Sequence, residues 1–191
     1  MKAARYLLLA AWLVSTFAWA ETAPSASRAQ REMQIFKVKE LGLEVWVENQ
    51  PAWETQLTNA TGRPMFAAQS PDGYHPATVM MYASWPKEKV EDKLMFETAV
   101  GAVRRASQNF GVSENQSRAI ALVPATYGPL KGFEGRFPGV AQHMTMDVKI
   151  FVGQASGKFP VVLTVYTQGG KMDQLNEQIR RAWTNVKYLA P

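Results

Sequence analysis

Two histidines, His75 and His143, are the only imidazoles in a chain of 191 residues that contains no cysteine. A hydrolytic triad needs a base within reach of an activated hydroxyl, and no Gly-x-Ser-x-Gly elbow aims a serine at either histidine. His75 lies in the loop Asp72-Gly73-Tyr74-His75-Pro76, and His143 opens a strand on its polar face, so both read as solvated side chains rather than catalytic bases. Two histidines without an HExxH helix, an EF-hand loop or closely spaced carboxylates make no zinc or calcium site. Gly128, Gly132 and Gly135 match neither GxGxxG nor Walker A spacing, and they read as bulges or points of close helix approach. Among the carboxylates, Glu91 and Asp92 suit a helix N-terminus, Glu114 a solvated loop, and Glu134 an exposed ion pair with Arg136 on one strand. The expectation is a protein with no catalytic residue, no metal and no cofactor.

The aromatic residues point to binding instead. Trp46 falls on the polar face of its strand, Trp53 follows a turn, Tyr74 sits beside His75 in a loop, and Trp85 borders Pro86. Tryptophan and tyrosine are favoured interface anchors, which makes Trp46, Trp53, Tyr74, His75 and Trp85 the expected protein-binding set. The competing reading is that these rings cap the edges of the core.

The elements that must position these residues show in the periodicity. Residues 144–152 alternate, with Met144, Met146, Val148, Ile150 and Val152 on one face and Thr145, Asp147 and Lys149 on the other, the pattern of a half-buried antiparallel strand. Residues 153–157 can turn, and the β-branched run 161–167 returns as a second strand. After Gly169-Gly170 the period lengthens: Met172, Leu175, Ile179, Trp183 and Val186 predict an amphipathic helix lying on a sheet. Strands are also predicted over 35–40, 43–47, 53–57, 65–70, 77–85 and 117–124. A long helix is predicted over 90–110, with Leu94, Phe96, Val100, Val103 and Phe110 as its apolar residues and Gly111 beyond its end. Strands and helices in runs, not strict alternation, indicate an α+β fold. The expected fold is a mainly antiparallel sheet of about six or seven strands flanked by two helices, an α/β/α sandwich.

Residues 1–20 stand apart. Lys2 and Arg5 precede a short apolar run, and Ala18-Trp19-Ala20 fits a small-x-small cleavage site, the pattern of a secretory signal peptide. The run is shorter than the roughly 20 residues of a spanning helix, which sets aside the alternative of a transmembrane anchor. Residues 21–34 read as a flexible lead-in and 35–191 as a single domain. Losing residues 1–20 removes two basic residues and no acid, leaving 19 basic against 16 acidic residues, a net charge of +3. This mild, scattered excess does not fit a nucleic-acid binder. An exported chain without cysteine has neither disulfides nor a lipidation site, so it depends on its own core and has no stable membrane anchor after cleavage. The expected location is the periplasm, with secretion as second choice.

Three stretches then carry a family resemblance: residues 41–54, with Pro51 and Trp53 at a turn after the first hairpin strand; 122–137, a glycine-bearing strand after the first helix; and 144–188, the strand-strand-helix ending. In these the chain resembles the PsbP-like superfamily of α/β/α sandwiches, which includes the photosystem II extrinsic protein, a Ran-binding import factor and the bacterial DcrB-like exported proteins. The resemblance implies a platform that binds other proteins, and it carries over no active-site residue because that family shares no catalytic motif. The expected function is therefore a non-enzymatic periplasmic protein that binds another envelope protein as an adaptor, or a secreted toxin as an immunity or inhibitor protein. The alternative is a carrier of a small apolar or lipid ligand, held between sheet and closing helix by Met144, Met146, Val148, Leu175 and Ile179.

Overall fold

A computed structural model describes residues 32–59, 63–86, 88–141 and 143–190. The expected signal peptide and most of the lead-in lie outside the described residues. Ten strands and three α-helices follow in the order β1 (Met33–Val38), β2 (Leu43–Glu48), β3 (Glu54–Thr58), β4 (Met65–Gln69), β5 (Thr78–Ser84), α1 (Met95–Asn109), α2 (Glu114–Arg118), β6 (Leu122–Tyr127), β7 (Leu130–Ala141), β8 (Met144–Gln154), β9 (Val161–Gln168), α3 (Asn176–Thr184) and β10 (Lys187–Tyr188). The first strand thus starts at Met33, two residues before the expected domain boundary.

Seven strands form one wholly antiparallel sheet in the order β3-β4-β5-β9-β8-β7-β6. Its centre, β5, β9 and β8, is buried on both faces, which is why these strands are rich in apolar residues at successive positions as well as alternate ones. On one face α1 packs across β7 and β8 with Met95, Ala99, Val103 and Phe110 buried against Val148, Ile150, Val152 and Tyr166. On the other face lie α3 and a second small antiparallel sheet, β1-β2-β10, whose Leu43, Val45 and Val47 meet Phe66, Tyr82, Leu163 and Trp183. The molecule is α+β, with helices on both sides of an antiparallel sheet, as its patterning predicts.

The helical stripe of the closing segment is buried as its spacing predicts: Met172, Leu175, Ile179, Trp183 and Val186 are all inaccessible to solvent. The long helix differs from expectation. A 3-10 turn at Asp92–Leu94 precedes it, and its buried ridge runs Met95, Ala99, Val103, Ser107, while Leu94 and Phe96 remain nearly half exposed. Alanine and serine in that ridge let the helix axis approach the sheet, and Phe96 lies edge-on to Phe133 with centroids 5.1 Å apart. The expected strand over 117–124 begins only at Leu122, because Ser113 and Gln116 form a reciprocal capping box that starts α2. Glu114 is consequently helical and pairs with Arg118, one turn along.

Candidate functional site

The two edges of the seven-stranded sheet are built differently. At one end β6 carries Pro124, which lacks a main-chain donor and blunts the edge. At the other, β3 has the sequence Glu-Thr-Gln-Leu-Thr, with no proline, no lysine and one charge at its first residue. Glu54, Thr55, Gln56 and Leu57 are exposed, Leu57 by 42%, so this strand presents both faces as well as its outer edge to solvent. Among the described residues no strand pairs with that outer edge. The row of unused N–H and C=O groups is a template for another extended chain.

A shallow surface adjoins this edge. Cross-strand pairing places Gln56, Ala67 and Met81 in one row and Thr58, Met65 and Ala83 in the next, on the α1 side of the sheet. Because α1 packs over β7 and β8, Met65, Ala67, Met81 and Ala83 remain half-buried. Trp85 closes one end of this surface, half-buried, with the Arg63 guanidinium 5.6 Å from its ring centroid.

The expected aromatic set does not come together. Trp46 lies on the outer face of the small sheet, where its Nε1 donates to Glu44 Oε1 at 3.4 Å and Lys187 Nζ stands 5.7 Å from its ring centroid. Trp53 and Tyr74 are only 7% and 5% exposed, and pack edge to face at 5.4 Å within the core. The Tyr74 hydroxyl donates to Glu48 Oε2 at 2.7 Å and accepts from Gln178 Nε2 at 2.8 Å, tying the β4–β5 loop to β2 and α3. These two rings are therefore core, not interface, since the small sheet and α3 cover the loop that carries Tyr74. His75 is exposed beside them, and His143 is exposed in the β7–β8 turn with a left-handed φ of 65°. Of the five, Trp85 alone adjoins the open surface next to β3.

The expected ligand pocket also divides. Val148 faces α1, and Met146 packs in the same cluster, whereas Leu175 and Ile179 of the closing segment lie in the core on the opposite face. The residues that meet Leu175 and Ile179 from the central sheet are instead those of the alternate register, Phe151 on β8 and Leu163 and Val165 on β9. Met144, Met146, Val148, Leu175 and Ile179 thus line no common cavity.

Between β8 and the closing segment lies a polar network in place of that pocket. Glu134 and Arg136 point the same way from β7, as expected, but do not pair with each other. Glu134 Oε1 bonds Lys149 Nζ at 3.1 Å and its Oε2 accepts from the Tyr127 hydroxyl at 2.6 Å. Burial, reinforced by that carboxylate, pushes the Tyr127 phenol above its ordinary range. Arg136 bridges Asp147 at 3.0 Å and Asp173 at 2.6 Å. Asp147 Oδ2 also accepts from the backbone N–H of Gly170 at 3.0 Å and of Met172 at 3.3 Å, and so fixes the turn that leads into α3. Replacing Asp147 with alanine leaves those donors unmatched, and about 1–3 kcal/mol of stability should be lost. Urea unfolding measures it, and an unchanged midpoint would show the turn to be held by other contacts.

The glycines singled out by spacing serve close approach. A Cβ on Gly128 would stand 2.3 Å from the Thr184 carbonyl oxygen at the end of α3, and one on Gly132 only 2.1 Å from that of Val152. Pairing of β7 with β8 runs without interruption through Gly132 and Gly135, so neither is a bulge.

No protein-family model matches this chain, and no curated protein sequence matches it.

Proposed function

We propose that this chain is a non-enzymatic, PsbP-like protein of the periplasm that binds an extended segment of another protein along the free edge of β3. The observation that carries this reading is the contrast between the two sheet edges: β6 is blunted by Pro124, whereas β3 is exposed, has an outer edge that no strand among the described residues pairs with, and is uncharged over Thr55, Gln56, Leu57 and Thr58. An added strand gains main-chain hydrogen bonds along its length, and its alternate side chains meet the adjoining surface of Ala67, Met81 and Met65 on one side and Leu57 on the other. Threonine and glutamine at the edge favour such pairing, because they neither repel a neighbouring chain nor leave a charge to be desolvated. The partner is an envelope protein for which the chain is an adaptor, or a secreted toxin that it neutralises.

The test is to capture partners from the chain's own envelope and from toxin-bearing culture fluid, with wild-type protein and with Leu57→Lys. A lysine within the edge strand should weaken capture of a true partner roughly tenfold or more, since an unmatched charge would be buried by the incoming strand. Trp46→Ala, on the outer face of the small sheet, should leave capture unchanged. A partner retained by Leu57→Lys and lost with Trp46→Ala would move the interface to the small sheet and overturn the reading.

A further inference from the structure

Beyond the β3 edge, and independent of it, we infer that a groove at the β5–β9–β8 end of the α1-side face is a binding site for a neutral, mainly apolar small molecule bearing one hydrogen-bonding group. The groove follows from the lengths and course of the elements. An α-helix of 15 residues spans about 22 Å and a strand of 11 residues about 37 Å, so α1 cannot cover β8 from end to end. The helical segment starts near the end of β8, where Gln154 Nε2 donates to the Val90 carbonyl oxygen. It finishes over β7, where the Val140 N–H donates to the Phe110 carbonyl oxygen. Gly111, at a φ of 71°, then turns the chain away. The β5 and β9 side of this end is left open as a groove of about 440 Å³, lined by Ala77, Val79, Met144, Met146, Tyr166 and Gln168. That volume lies in the range of small-molecule sites, roughly 300–1,000 Å³.

Three features define what would fit. The floor is apolar, and two methionines give it side chains that adapt to an irregular guest. Tyr166 is 5% exposed and packs edge-on to Phe110 at 5.2 Å, yet among the described residues its hydroxyl makes no hydrogen bond. The ring is buried while the hydroxyl reaches the groove, where a ligand hydroxyl, carbonyl or amide would pair with it. Among the described residues no lysine, arginine or histidine lines the groove, and the one charged residue there, Asp147, is committed to Arg136, Gly170 and Met172. A carboxylate or phosphate ligand would therefore bring a charge with nothing to meet it.

The site is tested with the neutral fluorophore N-phenyl-1-naphthylamine, displaced in parallel by 1-decanol and by decanoate at a pH where the acid is ionised. The expected result is one saturable site, displaced by 1-decanol at roughly tenfold or more lower concentration than by decanoate. The Met144 and Met146 methyl resonances should shift on binding. Ala77→Trp, which fills the groove, should abolish the signal, and Met144→Trp is the second filling variant should the first not fold. Tyr166→Phe should weaken displacement by 1-decanol roughly two- to tenfold, the worth of one hydrogen bond, while leaving the unfolding midpoint in place. No saturable signal, a signal that survives a folded groove-filling variant, or equal displacement by decanoate would each overturn the proposal.

Discussion

Replacing Trp183 with alanine should lower the unfolding free energy by about 3–5 kcal/mol, a large part of the roughly 5–15 kcal/mol that holds a domain folded. Trp183 is wholly buried where α3, β6 and β8 meet. Its ring stands edge-on to Tyr127 at 5.1 Å and tilted against Phe151 at 6.4 Å, and those two rings pack edge to face at 5.0 Å. Truncation removes the largest fully buried side chain and leaves a cavity walled by ring systems that cannot collapse into it. Trp183→Phe should cost less than half as much. A phenyl ring fills most of the space, and the indole Nε1, buried without a hydrogen-bond partner, is removed with its desolvation penalty. Chemical denaturation of the three proteins decides it, and equal losses for alanine and phenylalanine would show that the site relaxes around any smaller side chain.

Gly132→Ala should cost about 3 kcal/mol or more, at the upper end of what overpacking does in a close-packed interior. Gly132 lies directly across from Gly153, and an added Cβ would meet the backbone of Val152 and Gly153 at 2.1 and 2.5 Å. Backbone atoms in a paired ladder cannot rotate aside as a side chain can, so β7 must separate from β8. The opposing glycine is under the same constraint: the Phe151 ring lies over Gly153, where a Cβ would come within 2.5 Å of its Cζ. Two facing glycines thus make room for the ring that Trp183 packs against. Gly101→Ala is the matched control. That glycine lies within α1 with nothing inside 4 Å of an added Cβ, and alanine there should stabilise by about 0.5–1 kcal/mol. Losses of similar size at both positions would refute the steric account of Gly132.

The contrast between these glycines marks what periodicity conveys. A helix on a sheet exposes its stripe to sequence reading, because Met172, Leu175, Ile179, Trp183 and Val186 recur at three and four residues. Strand alternation is equally plain in β8. Neither pattern states which surface meets which, and that is where the sequence misleads: both faces of β8 are covered, and the face bearing Met146 and Val148 meets α1, not α3. Composition is ambiguous in the same way for Trp53 and Tyr74, since a ring with one polar atom suits a core with a hydrogen-bond partner as well as an interface. The small helix α2 is announced by Ser113-x-x-Gln116 and is masked by the β-branched and apolar residues that follow it. The free edge of β3 is the least legible feature of all. Five residues with alternation too weak to show a face become informative only once the order β3-β4-β5-β9-β8-β7-β6 places them at an end. Edge position is a property of topology, which pairs β5 with β9 across about eighty residues of chain.

Hydrogen exchange of the β3 amides, in the free protein and with a captured partner, tests strand addition most directly. Peptide N–H groups that face solvent exchange quickly and become protected when they donate to a new strand. Partner binding should protect outward-facing amides within Glu54–Thr58, and Leu57→Lys should prevent this protection. Protection confined to the small sheet around Trp46, with β3 exchanging as in the free protein, would contradict strand addition.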